Sequence, residues 1–316
     1  MAVANLGDSV ATTLRNVSKT IADNVTNDNG FLAHLDKKGN IKKSVSGGRE
    51  IDEAVMYGTN ASVQFYSGYD AFTPPTTQEV VDLATFNWKQ LGGFIAISGL
   101  EKIQNRGPEQ RFDYVETRIK QLTANMKNTF ATSLYSLGTG SAGKELGGLQ
   151  LLVSDDPTAA GTVGGINQVT NTFWRNQYSA AAATTNATIQ NRMNLMWLAT
   201  KRGADQTDLI LADNDMYTYY WESLQTRQRF TGEFGDAGGG ELAYKKAMVL
   251  YDDQCPDKHM YMLNTDYIYF KYAQGRWFEA GDKRTITNAD YDVIPLFVAG
   301  NLTIANRARS GVIIAS

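Results

Sequence analysis

The feature that most constrains this chain is one long helix that a small domain has little room to bury. Residues 108–136 carry its signal. Gly107-Pro108-Glu109 opens it, with proline at the first helical position and an acid in the first turn. Phe112, Val115, Ile119, Leu122, Met126 and Phe130 fall on one face, Glu116 and Lys120 pair on the other, and Leu137-Gly138 closes it. At ~1.5 Å per residue the spacing predicts a rod of roughly 40 Å, longer than a typical globular helix. A fold containing such a rod needs either a broad sheet to lay it on or a neighbouring molecule.

Two further stretches have the same need. Residues 8–26 read as an amphipathic helix, capped by Asp8 or Ser9, with Val10, Leu14, Val17, Ile21 and Val25 at helical spacing. Thr26-Asn27-Asp28-Asn29-Gly30 reads as its stop. An isolated helix of that kind is marginal in water, so its stripe must pack on something. Residues 62–98 read as two strand-like arms around the Thr73-Pro74-Pro75-Thr76 tip. They run out through Val63 and Phe65 and return through Phe86-Asn87-Trp88 and Phe94-Ile95-Ala96-Ile97. A lone hairpin is not stable in water, which again implies a partner surface.

The rest reads as a mixed α+β chain. Residues 31–60 are polar and glycine-dotted, and residues 138–185 are rich in Gly, Ala and Thr. Residues 188–202 are helical through Ile189, Met193, Met196 and Trp197. Asp208 to Ala212 is a buried strand, and Asp213 or Asn214 caps a helix carrying Met216, Tyr217, Tyr220 and Leu224. Residues 232–240 are a glycine-rich loop. Strands dominate from 244 onward, at 248–251, 267–270, 293–298 and 302–304.

Composition narrows the function classes. The 316 residues carry a net charge of −3, without the basic excess of a protein that grips nucleic acid through phosphates. Lys37, Lys38, Lys42 and Lys43 are spread over a segment that reads as a solvated loop. One cysteine, Cys255, excludes an intrachain disulfide framework. No signal peptide is expected from the opening MAVANLGDSVATTLRN, and no apolar run is long enough to span a membrane.

Motifs for chemistry are weak. Gly138-Thr139-Gly140-Ser141-Ala142-Gly143-Lys144 nearly matches a phosphate-binding loop, but Glu145 stands where Ser or Thr should hold magnesium, and the motif follows a helix instead of a strand. It reads as a helix C-cap and linker. Cys255 and His259 are four apart, but a zinc site needs further ligands, and Pro256 favours a turn. Asp213-Asn214-Asp215 lacks the glycine and terminal Glu of a calcium loop and reads as a helix cap. Asp155-Asp156 and Asp252-Asp253 read as solvated turns. No catalytic residue, metal or cofactor is expected.

In this order the parts resemble the major capsid proteins of tailed bacteriophages. Val45-Ser46-Gly47-Gly48-Arg49-Glu50-Ile51 resembles the segment leaving an N-terminal arm. Phe65-Tyr66-Ser67-Gly68-Tyr69, Phe86-Asn87-Trp88-Lys89-Gln90 and Ile97-Ser98-Gly99-Leu100-Glu101 resemble the extended loop and its return. Gly147-Gly148-Leu149-Gln150, Gly164-Gly165-Ile166 and Phe173-Trp174-Arg175-Asn176 resemble the entry to an axial domain, and Ala299-Gly300-Asn301-Leu302-Thr303 the final strand pair.

The resemblance implies an N-terminal arm over 1–45 and an extended loop over 58–100. It implies a peripheral domain from 46–57, 101–140 and 263–303, with 108–136 as its spine helix, and an axial domain from 141–262 and 304–316. It implies assembly instead of catalysis: hexamers and pentamers of the chain itself, a portal, a separate scaffold or decoration protein, and packaged double-stranded DNA held by weak non-specific contact. Formation in the host cytoplasm and residence in the virion follow. Subunit contacts are expected at Val10, Leu14, Val17, Ile21, Phe65, Tyr66, Tyr69, Phe86, Trp88 and Lys89. No covalent crosslink through Lys89 is expected. An encapsulin-like compartment is the nearest rival, followed by a soluble hydrolase and a surface binding protein.

Overall fold

The computed structural model describes residues 29–43, 47–58, 63, 65–70, 80–104, 114–159, 161–225, 242–285 and 289–316. One strand organises the first half of the architecture. Strand β15 (Tyr291–Ile304) runs fourteen residues and is paired along both edges. On one edge lies β4 (Lys89–Ser98), antiparallel from Tyr291↔Ser98 to Gly300↔Lys89. On the other lie β12 (Ile268–Tyr272), β13 (Glu279–Ala280) and β14 (Arg284–Thr285) in turn. Strand β1 (Ile41–Lys43) extends the sheet beyond β12 in parallel.

The rod lies on this sheet as α3 (Tyr114–Ser133). Its expected start at Pro108 falls outside the described residues. It stops short of residue 136 because the chain tightens there, Tyr135 N–H donating to Thr132 O (3.1 Å) and Ser136 N–H to Ser133 O (3.2 Å). Gly93 is what lets the helix sit close: a Cβ there would meet Leu122 Cδ1 at 2.7 Å. Phe130, fully buried, anchors the seat against the rings of Phe270 (5.1 Å), Trp277 (5.7 Å) and Phe278 (5.8 Å).

The second sheet has the order β7-β16-β11-β8-β10-β9, that is β7 (Gln177–Ala182), β16 (Gly311–Ala315), β11 (His259–Leu263), β8 (Leu209–Ala212), β10 (Ala247–Tyr251) and β9 (Leu242–Tyr244). Its alternating residues serve two cores. Ile210, Met260, Met262 and Ile313 face helices α5 (Ile189–Thr200) and α6 (Asn214–Gln225), meeting Met193, Met196 and Met216. Leu209, Leu211, Tyr261 and Val312 face the larger core, shared with Phe270 and Leu302 of the first sheet. The helix and strand readings for 188–225 and for 248 onward are borne out, as is Asp213 as a cap, its Oδ1 accepting from Met216 N–H at 2.9 Å.

Four readings are corrected. Asn29-Gly30 starts a helix instead of stopping one: Asn29 Oδ1 accepts from Leu32 N–H (2.9 Å) and caps α1 (Gly30–Lys37), whose Phe31 and Leu35 are fully buried. Asn is as good an N-cap as a breaker. Lys37 closes that helix and Lys42 and Lys43 lie in β1, so the basic stretch is not a loop. The outgoing arm of the hairpin is β2 (Glu50–Met56), paired with β3 (Val81–Asn87) from Glu50↔Asn87 to Met56↔Val81. The described residues among 63–69 form no strand, and β4 leaves the hairpin to join β15. Asp252 is buried, not solvated, accepting from Tyr135 OH at 2.6 Å and Asn29 Nδ2 at 3.1 Å. The helix of 8–26 and the loop of 232–240 lie outside the described residues.

Candidate subunit-contact surfaces

The hairpin β2–β3 has one face turned in and one turned out. Ile51, Val55, Ala84 and Phe86 are buried, seated on the turn between β5 (Thr162–Val163) and β6 (Ile166–Asn167). Gly164, at φ +61°, is the apex of that turn, and a Cβ on it would meet Ala84 Cβ and Phe86 Cζ at 3.1 Å each. Thr85 N–H donates to Gly164 O at 2.9 Å and fastens β3 there. The opposite face carries Met56 opposite Val81 and Ala54 opposite Leu83. Met56, Val81 and Leu83 are all more than half exposed (78%, 57% and 54%). Contiguous apolar surface of this kind marks a place another molecule covers.

A second bare face lies on the first sheet. Alternation along β4 puts Gly93, Ile95 and Ile97 under α3 and Phe94 on the other side, 72% exposed. Phe297 of β15 lies on the same bare side, with the Arg276 guanidinium 4.9 Å over its ring. A third group, Leu195 and Leu198 on α5 and Trp221 on α6, is exposed on the outer surface of the second sheet's helices.

The expected contact residues distribute unevenly. Phe65, Tyr66 and Tyr69 are exposed. Phe86 is buried in its own chain, because the hairpin register turns it toward Gly164. Trp88 is half-buried against the core and donates its indole N–H to Gly48 O at 3.0 Å. Lys89 Nζ donates to Gly143 O. Val10, Leu14, Val17 and Ile21 fall outside the described residues.

The groups with chemical potential are engaged structurally. Burial pushes the Cys255 thiol up, and its Sγ lies 3.6 Å from His259 O. His259 Nε2 lies 3.2 Å from Asp155 Oδ2. Lys38 Nζ sits 2.6 Å from both Asp208 Oδ2 and Asp266 Oδ1, joining the end of α1 to residues leading into both sheets. Burial pulls the Asp208 carboxyl up, but hydrogen bonds from His34, Lys38 and Thr265 outweigh it and hold it well below the usual range. Among the described residues no three His, Cys, Asp or Glu side chains gather as metal ligands. No described helix is long and apolar enough to cross a membrane.

The residue that sequence reasoning missed is Arg307. It is fully buried, and its guanidinium donates to Leu152 O (2.7 Å), Gln168 Oε1 (3.1 Å), Trp174 O (3.1 Å) and Asn176 Oδ1 (3.1 Å). Burial pushes it down to about 10. It ties the end of β15 to the 149–176 segment that seats the hairpin. Nothing in Asn306-Arg307-Ala308 signals burial.

Whole-chain comparison places this arrangement. The capsid asymmetric unit of cyanophage A-1(L) superposes with a TM-score of 0.70 at 18% identity, over 95% of this chain and 96% of that one. The fold is that of a tailed-phage capsid subunit. The capsid of a native GTA particle shares this capsid fold at a TM-score of 0.64 and 12% identity, covering 96% and 95% of the two chains. The holo-SrpI encapsulin complex from Synechococcus elongatus PCC 7942 shares it at 0.61 and 11%, covering 99% and 96%. No family model and no curated protein matches the sequence.

Proposed function

We propose that this chain is the structural subunit of an icosahedral shell, the major capsid protein of a tailed double-stranded DNA phage. The observation that carries the reading is the capsid fold over nearly the full length of both compared chains, with a TM-score of 0.70. The apolar outer face of the hairpin supports it, because Met56, Val81 and Leu83 are each more than half exposed. Assembly multiplies many modest contacts into a closed container, so no catalytic step is needed.

On this reading residues 46–57, 101–140 and 263–303 form the peripheral domain and 141–262 with 304–316 the axial domain that gathers into hexamers and pentamers. On these bounds α3, β12, β13, β14 and nearly all of β15 belong to the former, β1 to the arm and β4 to the loop, and nearly all of the second sheet to the latter. Residues 1–45 serve as the arm and 58–100 as the loop that reaches a neighbour. Portal, scaffold or decoration proteins, weak DNA contact, host-cytoplasmic assembly and residence in the virion belong to the same proposal.

The test is particle formation. The expressed chain is sized by chromatography and the excluded fraction imaged by negative-stain electron microscopy, alone and with proteins encoded beside it. Uniform hollow polyhedra support the reading. A monodisperse small oligomer under every combination overturns it. Particles that hold protein cargo and no DNA in their native source favour the encapsulin likeness over the phage one.

A further inference from the structure

The groove between the hairpin and the second sheet combines features that neither the fold nor the contacts above explain. Its volume is about 840 Å³, and it runs between Ala54–Tyr57 of the hairpin, the 172–178 segment and Ala305–Arg309. Among the described residues three arginines, Arg175, Arg202 and Arg309, line it, and no Asp or Glu does. Acids adjoin the lining but are engaged elsewhere: Asp205 accepts from Tyr267 OH at 2.9 Å, Glu53 pairs with Lys271 at 2.8 Å, Asp266 pairs with Lys38 at 2.6 Å, and Asp156 accepts from Thr158 N–H at 2.9 Å. Arg202 is exposed and makes no side-chain hydrogen bond or ion pair among the described residues. In a chain of net charge −3 this is a local cationic concavity.

Its two walls are strand edges. Tyr57 N–H donates to Val80 O at 3.0 Å, which makes the odd-numbered residues of β2 those bonded to β3. Ala54 and Met56 therefore point their N–H and C=O groups away from β3. That hairpin has only two strands, an arrangement that is marginal without a third. The far edge of β3 is fastened by Gly164, but among the described residues β2 has no strand beyond it, its outward edge meeting only the Lys271 ammonium, which donates to Asp52 O at 3.3 Å. Across the groove β7 is the edge of the second sheet. Gln177 N–H donates to Ser310 O, so the backbone of Tyr178 faces outward. Tyr57 stacks on Phe173 at 4.4 Å and 7°, closing the floor between the walls.

We propose that this groove binds an extended acidic peptide segment of a partner protein, laid as a third strand on the free edge of β2. Alternate side chains of such a strand fall about 7 Å apart on one side. Carboxylates there meet Arg175, Arg202 and Arg309, and charge-assisted pairs with arginine supply specificity. A nucleic acid fits less well. The Tyr57 and Phe173 faces that could stack bases already stack on each other. The groove's chemistry is independent of the shell proposal.

The test is fluorescence anisotropy on the soluble full chain with a labelled ten-residue peptide alternating Glu and Val. Its Lys/Val counterpart and a labelled oligothymidine are the comparison probes. The acidic peptide is expected to bind saturably and at least tenfold more tightly than either. Arg202→Glu is expected to weaken it at least tenfold. Met56→Pro, which removes an outward N–H without touching the β2–β3 ladder, is expected to do the same with the melting temperature unchanged. Equal binding of the two peptides, preference for the oligothymidine, or indifference to both variants overturns the proposal. Peptide binding is read on soluble chain and shell formation on particles, so failure of one leaves the other standing.

Discussion

The two six-stranded sheets are equal in strand number and differ in what covers them. The second is buried on both faces, β8 reading Leu-Ile-Leu-Ala with every residue buried. One face meets the methionines of α5 and α6 and the other meets the shared core. The first sheet is buried on both faces from Val298 to Ile304, but along β4 it is covered by α3 on one face and leaves Phe94 exposed on the other, and the hairpin beside it leaves Met56, Val81 and Leu83 bare. A doubly buried sheet completes itself within one chain. A sheet covered on one face along part of its length and a two-stranded hairpin have surface still to bury. Substitutions in the first kind of surface should therefore act on folding, and in the second on association.

The sharpest break of that comparison lies where the sheets share a core. Phe130→Ala removes the ring at the centre of the Phe270, Trp277 and Phe278 contacts. It should cost about 3–5 kcal/mol of stability by denaturant unfolding. A loss below about 1 kcal/mol would mean α3 is not seated by that ring. Arg307→Met comes next. It leaves four acceptors, Leu152 O, Trp174 O, Gln168 Oε1 and Asn176 Oδ1, without the guanidinium that joins them. About 2–4 kcal/mol is expected, since each buried polar group left unpaired costs about 1–3 kcal/mol and the site can relax. Unchanged stability would show that the apolar volume alone suffices.

These two residues also mark what the sequence could and could not convey. Phe130 was legible because the stripe from Ile119 to Phe130 repeats at helical spacing, and the same periodicity located α5 and α6. Strand β8 was legible as a short apolar run between capping residues. Arg307 was not, because arginine burial depends on oxygens contributed from 152, 168, 174 and 176, all far along the chain. Strand β2 was not either. Its sequence Glu-Ile-Asp-Glu-Ala-Val-Met places Ile51 and Val55 four apart among acids, a helical cue of low strand propensity. Only pairing with β3 makes it a strand. The bare faces were legible in outline as elements needing partners, but the burial of Phe86 was not, since a one-residue difference in register decides which face a side chain takes.

A middle case is the joint between the sheets. Asp208→Asn removes the partner of Lys38 at 2.6 Å and should cost about 2 kcal/mol at neutral pH, the scale of a hydrogen bond to a charged group. The folded carboxyl is held below its ordinary value, so its contribution is present above the unfolded pKa of about 4 and is lost as pH falls from there. Wild type and variant should therefore converge in melting temperature as pH is lowered below 4. A gap that persists or widens at acid pH would show that Asp208 is not acting through its charge.

The smallest effect on folding should accompany the largest on association. Leu83→Asp replaces a side chain 54% exposed on the outer hairpin face, opposite Ala54. Away from the core a surface change usually stays within about 0.5 kcal/mol, so the unfolding midpoint should barely move. Assembly is different: if that face is covered by a neighbour, every copy of the interface buries an unpaired carboxylate, and the penalty repeats at each contact around a closed shell. Particles should be absent from the excluded fraction while the soluble chain stays folded by circular dichroism. Normal particle yield from Leu83→Asp would show that the hairpin's outer face stays wet in the assembly, and would move the search for subunit contacts to Phe94 and Phe297 on the bare side of the first sheet.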